Sequence, residues 1–472
     1  MTPTGRVAGL LRGSLFALLL CGLVSPATAF ATPTATQVAD LNSGAAGSLP
    51  RVLTNVGGRL LFAARDDATG VELWRSDGTG AGTALVNDIN PGSAGSFPGS
   101  VDSAANPQSA KVGGTFFFSA DDGAHGYELW RSSGTGGGTT MVRDINPGVS
   151  SSFPQAMGDV GGRLFFSAYD NAHGQELWTS DGTAAGTTRV KDIRSGVDSS
   201  APGDLTAVGG TLFFNASDAS HGNELWKSDG TAAGTVQVKD INPGAEGSNP
   251  YWLIDHDGAL LFTAGQPSHG YELWRSDGTG AGTAEVKDIN PGPANSSPGR
   301  PVEVGGAVLF RANDGAHGVE LWRSDGSAAG TTLVKDINPS DDSYPDPMTT
   351  IGSLLIFNAS DPDHGREPWA TDGTRNGTKL LRDIRPGPVG STPRSKARLA
   401  AVSGTTFFSA NEPQHGRELW SSDGTPSGTN LVADIYPGPA SSFPDAFVNF
   451  AGKVYFRARE PTDGSELWNV VP

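Results

Sequence analysis

The stretch "HGNELWKSDGTAAGTVQVKDINPG", residues 221 to 244, decides how this 472-residue chain folds, because the chain repeats it from end to end. Its Trp226 has counterparts at Trp74, Trp130, Trp178, Trp274, Trp322, Trp369, Trp420 and Trp468, which makes nine units. Around this stretch four short segments alternate with turn signals: "GDLTAV" (203–208), "TLFFNAS" (211–217), "NELWKS" (223–228) and "TVQVKDI" (235–241). Each is rich in β-branched or aromatic residues and too short for a helix. Gly209-Gly210, "DASHG" and "DGTAAG" separate them, so successive segments are expected to pair as antiparallel hairpins.

One repeat therefore predicts one four-stranded sheet. Side chains alternate along a strand, so Leu225 and Trp226 leave opposite faces and both faces need cover. Repeated sheets that cover one another are the pattern of an all-β propeller, here of nine blades. A linear stack would need end units with polar outer faces, and none is visible. The ends support a ring. "TATQVADLNSG" (34–44) reads as a fourth strand, whereas "SELWNVVP" (465–472) stops after a third. The N-terminal strand is expected to complete the C-terminal blade and close the circle, leaving no loose edge.

The unit "ELWxSDGTxxGTxxVKDINPG" resembles the ELWxxDGT repeat family of exported bacterial proteins, over essentially all of the chain after its leader. More distantly, "GGRLFF...GQELWTSDGTAAGTTRVKDI" is similar to Kelch and quinoprotein-type propeller blades. The resemblance implies export and a repeat architecture; it implies no particular activity. Departures fall at Ser133, Arg194-Ser195, Pro368 and after Trp468, and read as turn variants.

Residues 1–31 read as a secretory signal: Arg6 and Arg12, the apolar run "SLFALLLCGLV" (14–24), and small residues that allow cleavage after Ala29 or Ala31. The run is too short to span a bilayer. Residues 32–472 are then a single exported propeller, extracellular or held at the cell surface. Cys21, the one cysteine, leaves with the signal, so neither disulfides nor a cysteine nucleophile is available. Loss of Arg6 and Arg12 takes the formal charge from -17 to -19, a surface that repels nucleic acid and anionic lipid. The 66 Gly and 32 Pro fall periodically, as turn residues.

Three sets of polar residues recur. The "SDGT" hairpin carries Asp77, Asp181, Asp229, Asp277, Asp325, Asp372 and Asp423, read as turn formers. A Glu opens every third strand (Glu224 in the unit quoted) and an Asp ends every fourth (Asp240). With a register that places Glu224 opposite Lys239, ion pairing or backbone hydrogen bonding is expected; a cation such as calcium held between the carboxylates is the sharper alternative. The turn before "ELW" supplies His125, His173, His221, His269, His317, His364 and His415 as candidate binding residues. Six of them follow an acid by three positions; Gln266 precedes His269 instead.

Departures from the repeat were the places to seek chemistry, since catalysis assigns unlike roles to its residues. "IDHDG" (254–258), "PSDDSYPDP" (339–347) and the insertion "VDSAANPQ" (101–108) stand out, but none forms a recognisable catalytic pattern. The sequence thus leads to an expectation of a monomeric, non-enzymatic propeller without a cofactor, acting as a multivalent binding module or extracellular scaffold for a glycan or protein. A polysaccharide hydrolase or lyase is the alternative.

Overall fold

The computed structural model describes residues 33–99, 107–392 and 400–471; the expected leader and most of the insertion at 101–108 lie outside them. Nine antiparallel sheets of four strands are formed. Blade 4 is typical, with strands Gly203–Val208, Thr211–Asp218, Gly222–Ser228 and Val236–Lys239. Blades 1 to 8 each take their four strands in chain order. Blade 9 takes Asp445–Phe450, Lys453–Glu460 and Gly464–Val471 from the C-terminal end, and Thr34–Ala39 from the N-terminal end as its fourth strand. Gln37 faces Trp468 and Ala39 faces Leu467, so the expected closure is present.

First strands meet the first strands of adjacent blades, in sequence around the ring, and Arg51–Val56 of blade 1 meets Asp445–Phe450 of blade 9. They form the inner wall, and the fourth strands lie outermost. The loops between blades and the turns between second and third strands share one edge, called here the loop side. The "GG" turns and "SDGT" hairpins share the other.

The core sits in the seams between blades. Trp226 of blade 4 packs with Leu212, Phe214 and Ala216 of its own sheet and with Val160, Phe165, Leu177, Val190 and Ile193 of blade 3. Burying each such side chain contributes roughly 1.5–3 kcal/mol, repeated around the ring. The second strand is apolar on both faces, as Leu212, Phe213 and Phe214 show, because both faces meet a neighbouring blade.

The outer strand is shorter than the sequence suggests. It stops at Lys239, and a bulge between Leu225 and Trp226 sets Lys239 opposite Leu225. The next two backbone N–H groups, of Ile241 and Asn242, donate instead to the Glu224 carboxylate. A side chain thus ends the ladder by taking the place of a backbone acceptor. The glycine after each turn histidine is required by close approach: Gly222 has φ +66°, and a Cβ there would lie 2.5 Å from the Ala245 carbonyl oxygen.

Candidate functional site

The recurring Glu is a buried fastener. Glu224 is fully buried and accepts from the N–H groups of Ile241, Asn242 and Ser248 and from Ser248 Oγ at 2.5 Å. One carboxylate ties the end of a blade to the loop that leads into the next. Glu466 does the same for Leu41 and Ser48, across the closure of the ring. Burial pushes these acids up, against the hydrogen bonds that favour their ionised form; Glu128, Glu176 and Glu466 reach about 7. The expected ion pair with Lys239 is corrected, since the bulge moves Lys239 one place away. Four donors occupy the carboxylate, which leaves it poorly suited to hold calcium. Among the described residues no group of three or more His, Cys, Asp or Glu side chains could hold a metal ion.

The displaced cation has another use. Lys239 Nζ crosses the seam to donate to the Thr283 carbonyl at 2.7 Å and lies 6.0 Å from the Trp274 ring centre. Lys191 reaches Thr235 and Trp226, Lys287 reaches Thr331 and Trp322, and Lys335 reaches Thr378 and Trp369 in the same way. Arg143 and Arg382 do likewise at Trp178 and Trp420. All six cations at this position therefore bridge blades. Sequence spacing along one hairpin could not reveal a partner that sits 44 residues further on.

The turn histidines form carboxylate dyads on the loop side. His221 Nδ1 lies 2.9 Å from Asp218 Oδ2, while Asp218 Oδ1 caps the turn by accepting from the N–H groups of Ser220 and His221. His125, His173, His317 and His364 repeat this with Asp122, Asp170, Asp314 and Asp361, and His415 does so with Glu412. His269 has lost its acid to Gln266 and recruits Glu285 of the fourth strand at 2.8 Å. The hydrogen-bonded carboxylate raises the imidazoles of His125, His221, His269, His317, His364 and His415 above their ordinary value. Burial pushes Asp218 up, but the bonds it accepts outweigh this and hold it below the usual range. Among the described residues, no hydroxyl is hydrogen-bonded to any of these imidazoles.

The "SDGT" aspartates are turn formers: Asp229 Oδ1 accepts from both the N–H and Oγ1 of Thr231. Of the irregular segments, "IDHDG" places His256, 5% exposed, against Glu303 of blade 6 at 2.8 Å. In "PSDDSYPDP", Asp342 accepts from the Val319 N–H, and Asp346 pairs with Arg300 at 2.5 Å and Arg366 at 3.3 Å. Both segments are therefore used in joining blades.

The inner rim on the loop side carries unlike side chains at equivalent positions. There the second residue of several first strands is a non-glycine in the left-handed region: Val52, Ala156, Asp204, Trp252, Arg300 and Ala446, with φ from 52° to 57°. Each sits in the bulge that opens its strand, and such strained backbone concentrates at functional sites. On the arc of blades 2 and 3 an open groove of about 640 Å³ is lined by Gln108, Asn146, Ser150, Ser151, Phe153, Gln155, Tyr169, Asn171 and Gln175. Through Asn146 and Asn171 it continues into a second, of about 590 Å³, holding Asp170, His173, Trp178 and Arg189. Phe153 is 55% exposed and stacks on Tyr127 at 6.0 Å. The lining comes from three strands and three loops, which spacing along the chain does not bring together. Of the seven candidate histidines, His173 alone lines either groove.

No family model and no curated protein matches the chain. Solved structures do. A puromycin hydrolase is similar at 14% identity and TM-score 0.42, over 87% of this chain and 58% of that one. A puromycin-hydrolyzing peptidase of Mycobacterium tuberculosis is similar at 10% identity and TM-score 0.42, over 80% and 61%. A structure from a study of two prolyl endopeptidases gives 10% identity and TM-score 0.42, over 78% and 54%. The chain thus spans less than two thirds of the length of these structures, and at such identities the likeness is one of fold. They are by name hydrolases and peptidases. The expectation of a non-enzymatic binding module or scaffold, and its alternative of a polysaccharide hydrolase or lyase, has no counterpart among these names and is withdrawn.

Proposed function

We propose that the ring is the peptide-engaging propeller of a peptidase system, exported by the leader and built of ELWxxDGT-type repeats. One observation carries the reading: the rim groove of blades 2 and 3 is lined by side-chain amides beside an exposed aromatic platform. Asn and Gln each present a donor and an acceptor, the complement of a peptide group. Gln108, Gln155 and Gln175 with Asn171 can pair with an extended backbone in a sequence-tolerant way. Phe153 on Tyr127 offers an apolar seat for one substrate side chain. The groove volume lies in the range of small-ligand and short-peptide sites. The role assigned to this ring is recognition and presentation of the peptide.

The test is fluorescence anisotropy with labelled hexapeptides, in wild type and in a Phe153→Ala/Gln175→Ala double variant. Saturable binding, weakened about tenfold or more in the variant, is expected; tenfold corresponds to about 1.4 kcal/mol. Absence of saturable peptide binding, or equal binding by the variant, overturns the reading.

A further inference from the structure

We infer that Arg51, on the inner rim beside this groove, is a receptor for the terminal carboxylate of a bound peptide; this rests on the peptide reading of the groove. Arg51 opens the first strand of blade 1, and its side chain is half-buried. Other rim arginines are matched to acids: Arg300 and Arg366 to Asp346, and Arg457 to Asp445, whose Oδ1 accepts from Arg457 Nε at 2.7 Å. Arg51 has no ion pair among the described residues, and its buried Nε has no hydrogen-bond partner. Its guanidinium is held over the Phe97 ring, 5.9 Å from the centre.

Such an arrangement is costly unless something uses it. Burial, joined by repulsion from Arg457, pushes Arg51 below its ordinary value, and no acid offsets either. The chain has 50 acidic side chains against 33 basic ones, so a carboxylate for Arg51 was readily available to it. A guanidinium stacked on an aromatic ring and unmatched by any acid is suited to receive a planar carboxylate. Its position gives the substrate a direction. Gly99 lies against both Val52, the residue after Arg51, and Ser109, the residue after Gln108, which lines the peptide groove. A peptide lying in the groove can therefore end at Arg51, and the ligand class is a peptide with a free C-terminus.

The same hexapeptide is compared as free acid and as C-terminal amide, on wild type, Arg51→Gln and Arg51→Lys. Wild type is expected to prefer the acid about tenfold, and Arg51→Gln to lose that preference while binding the amide as wild type does. Arg51→Lys, which keeps the charge without the fork, should retain part of it. Equal binding of acid and amide by wild type, or an unchanged preference in Arg51→Gln, overturns the assignment. A third peptide, amidated and carrying one internal Glu, separates the two sources of carboxylate. If it matches the free acid in an Arg51-dependent way, terminal recognition is overturned.

Failure of the groove reading is distinguished with N-acetylphenylalanine and its amide, probes too short to need the groove. Binding of the acid, lost in Arg51→Gln but intact in Phe153→Ala/Gln175→Ala, supports the carboxylate receptor whether or not longer peptides bind. No binding of the acid by wild type at millimolar concentration overturns it.

Discussion

At the scale of single residues, the buried glutamates make the sharpest claims. Glu224 satisfies four donors with one side chain, and a glutamine there would aim an amide N–H at one of them. Glu224→Gln is expected to cost about 1–3 kcal/mol. Glu224→Ala strands all four donors and should cost more; urea denaturation of both variants checks the order. A second claim concerns pH. Glu128, Glu176, Glu272, Glu320, Glu367 and Glu466 titrate near 7 in the fold, against an ordinary value of 4.5, so folding takes up protons. Their contribution is complete below about 4.5 and is lost as pH rises through about 7. The raised histidines act in the same direction: stability from His125, His221 and His317 is complete below 6.5 and lost as pH rises through their higher folded values. The depressed carboxylates, Asp218 among them, lose their contribution only below their ordinary value of 3.8. The melting temperature is therefore expected to fall from pH 5 to pH 8. A rise over that interval would refute the account.

At the scale of elements, the seam is the unit of stability. Trp226 is 6% exposed and is buried against the preceding blade, so Trp226→Ala should cost roughly 3–5 kcal/mol. The bridging cation adds less. Lys239→Met keeps the aliphatic stem and removes the bond to Thr283 and the charge above Trp274, for an expected loss of about 1 kcal/mol. Chemical denaturation of the two variants should rank them in that order. The seams that follow blades 1 and 8 have Asn87 and Ala433 at the cation's place, opposite Leu73 and Leu419. Lysine there is expected to stabilise the ring by a similar amount, measured the same way.

At the scale of the whole molecule, stability depends on closure. Thr34–Ala39 supplies the outer strand of blade 9, and Leu41 and Ser48 fill the Glu466 carboxylate. Removing residues 33–41 exposes the edge of the strand bearing Trp468 and leaves Glu466 short of a donor. The truncated protein is expected to melt well below the intact one. Equal melting temperatures would show that closure contributes nothing.

Much of this was legible in the chain because repetition acts as an internal alignment. Strand order, turns, the core position of Trp226 and the displaced ninth fourth strand all follow from short-range rules: side-chain alternation, turn chemistry and the need to cover two apolar faces. The pairing of Asp218 with His221 was legible for the same reason, since both lie in one turn. What lay beyond the sequence were contacts between units and between unlike departures from the repeat. A single bulge at Leu225 and Trp226 shifts Lys239 from Glu224 to the next blade, and a bulge is a backbone event that residue spacing does not reveal. Glu285 standing in for the missing acid at His269 required the third and fourth strands to be laid side by side. The rim groove and the unmatched Arg51 arise only when the ring brings residues of different blades to one edge, because burial and charge pairing are properties of three-dimensional neighbours. Local rules thus determined the blade, and tertiary closure decided where its polar residues meet.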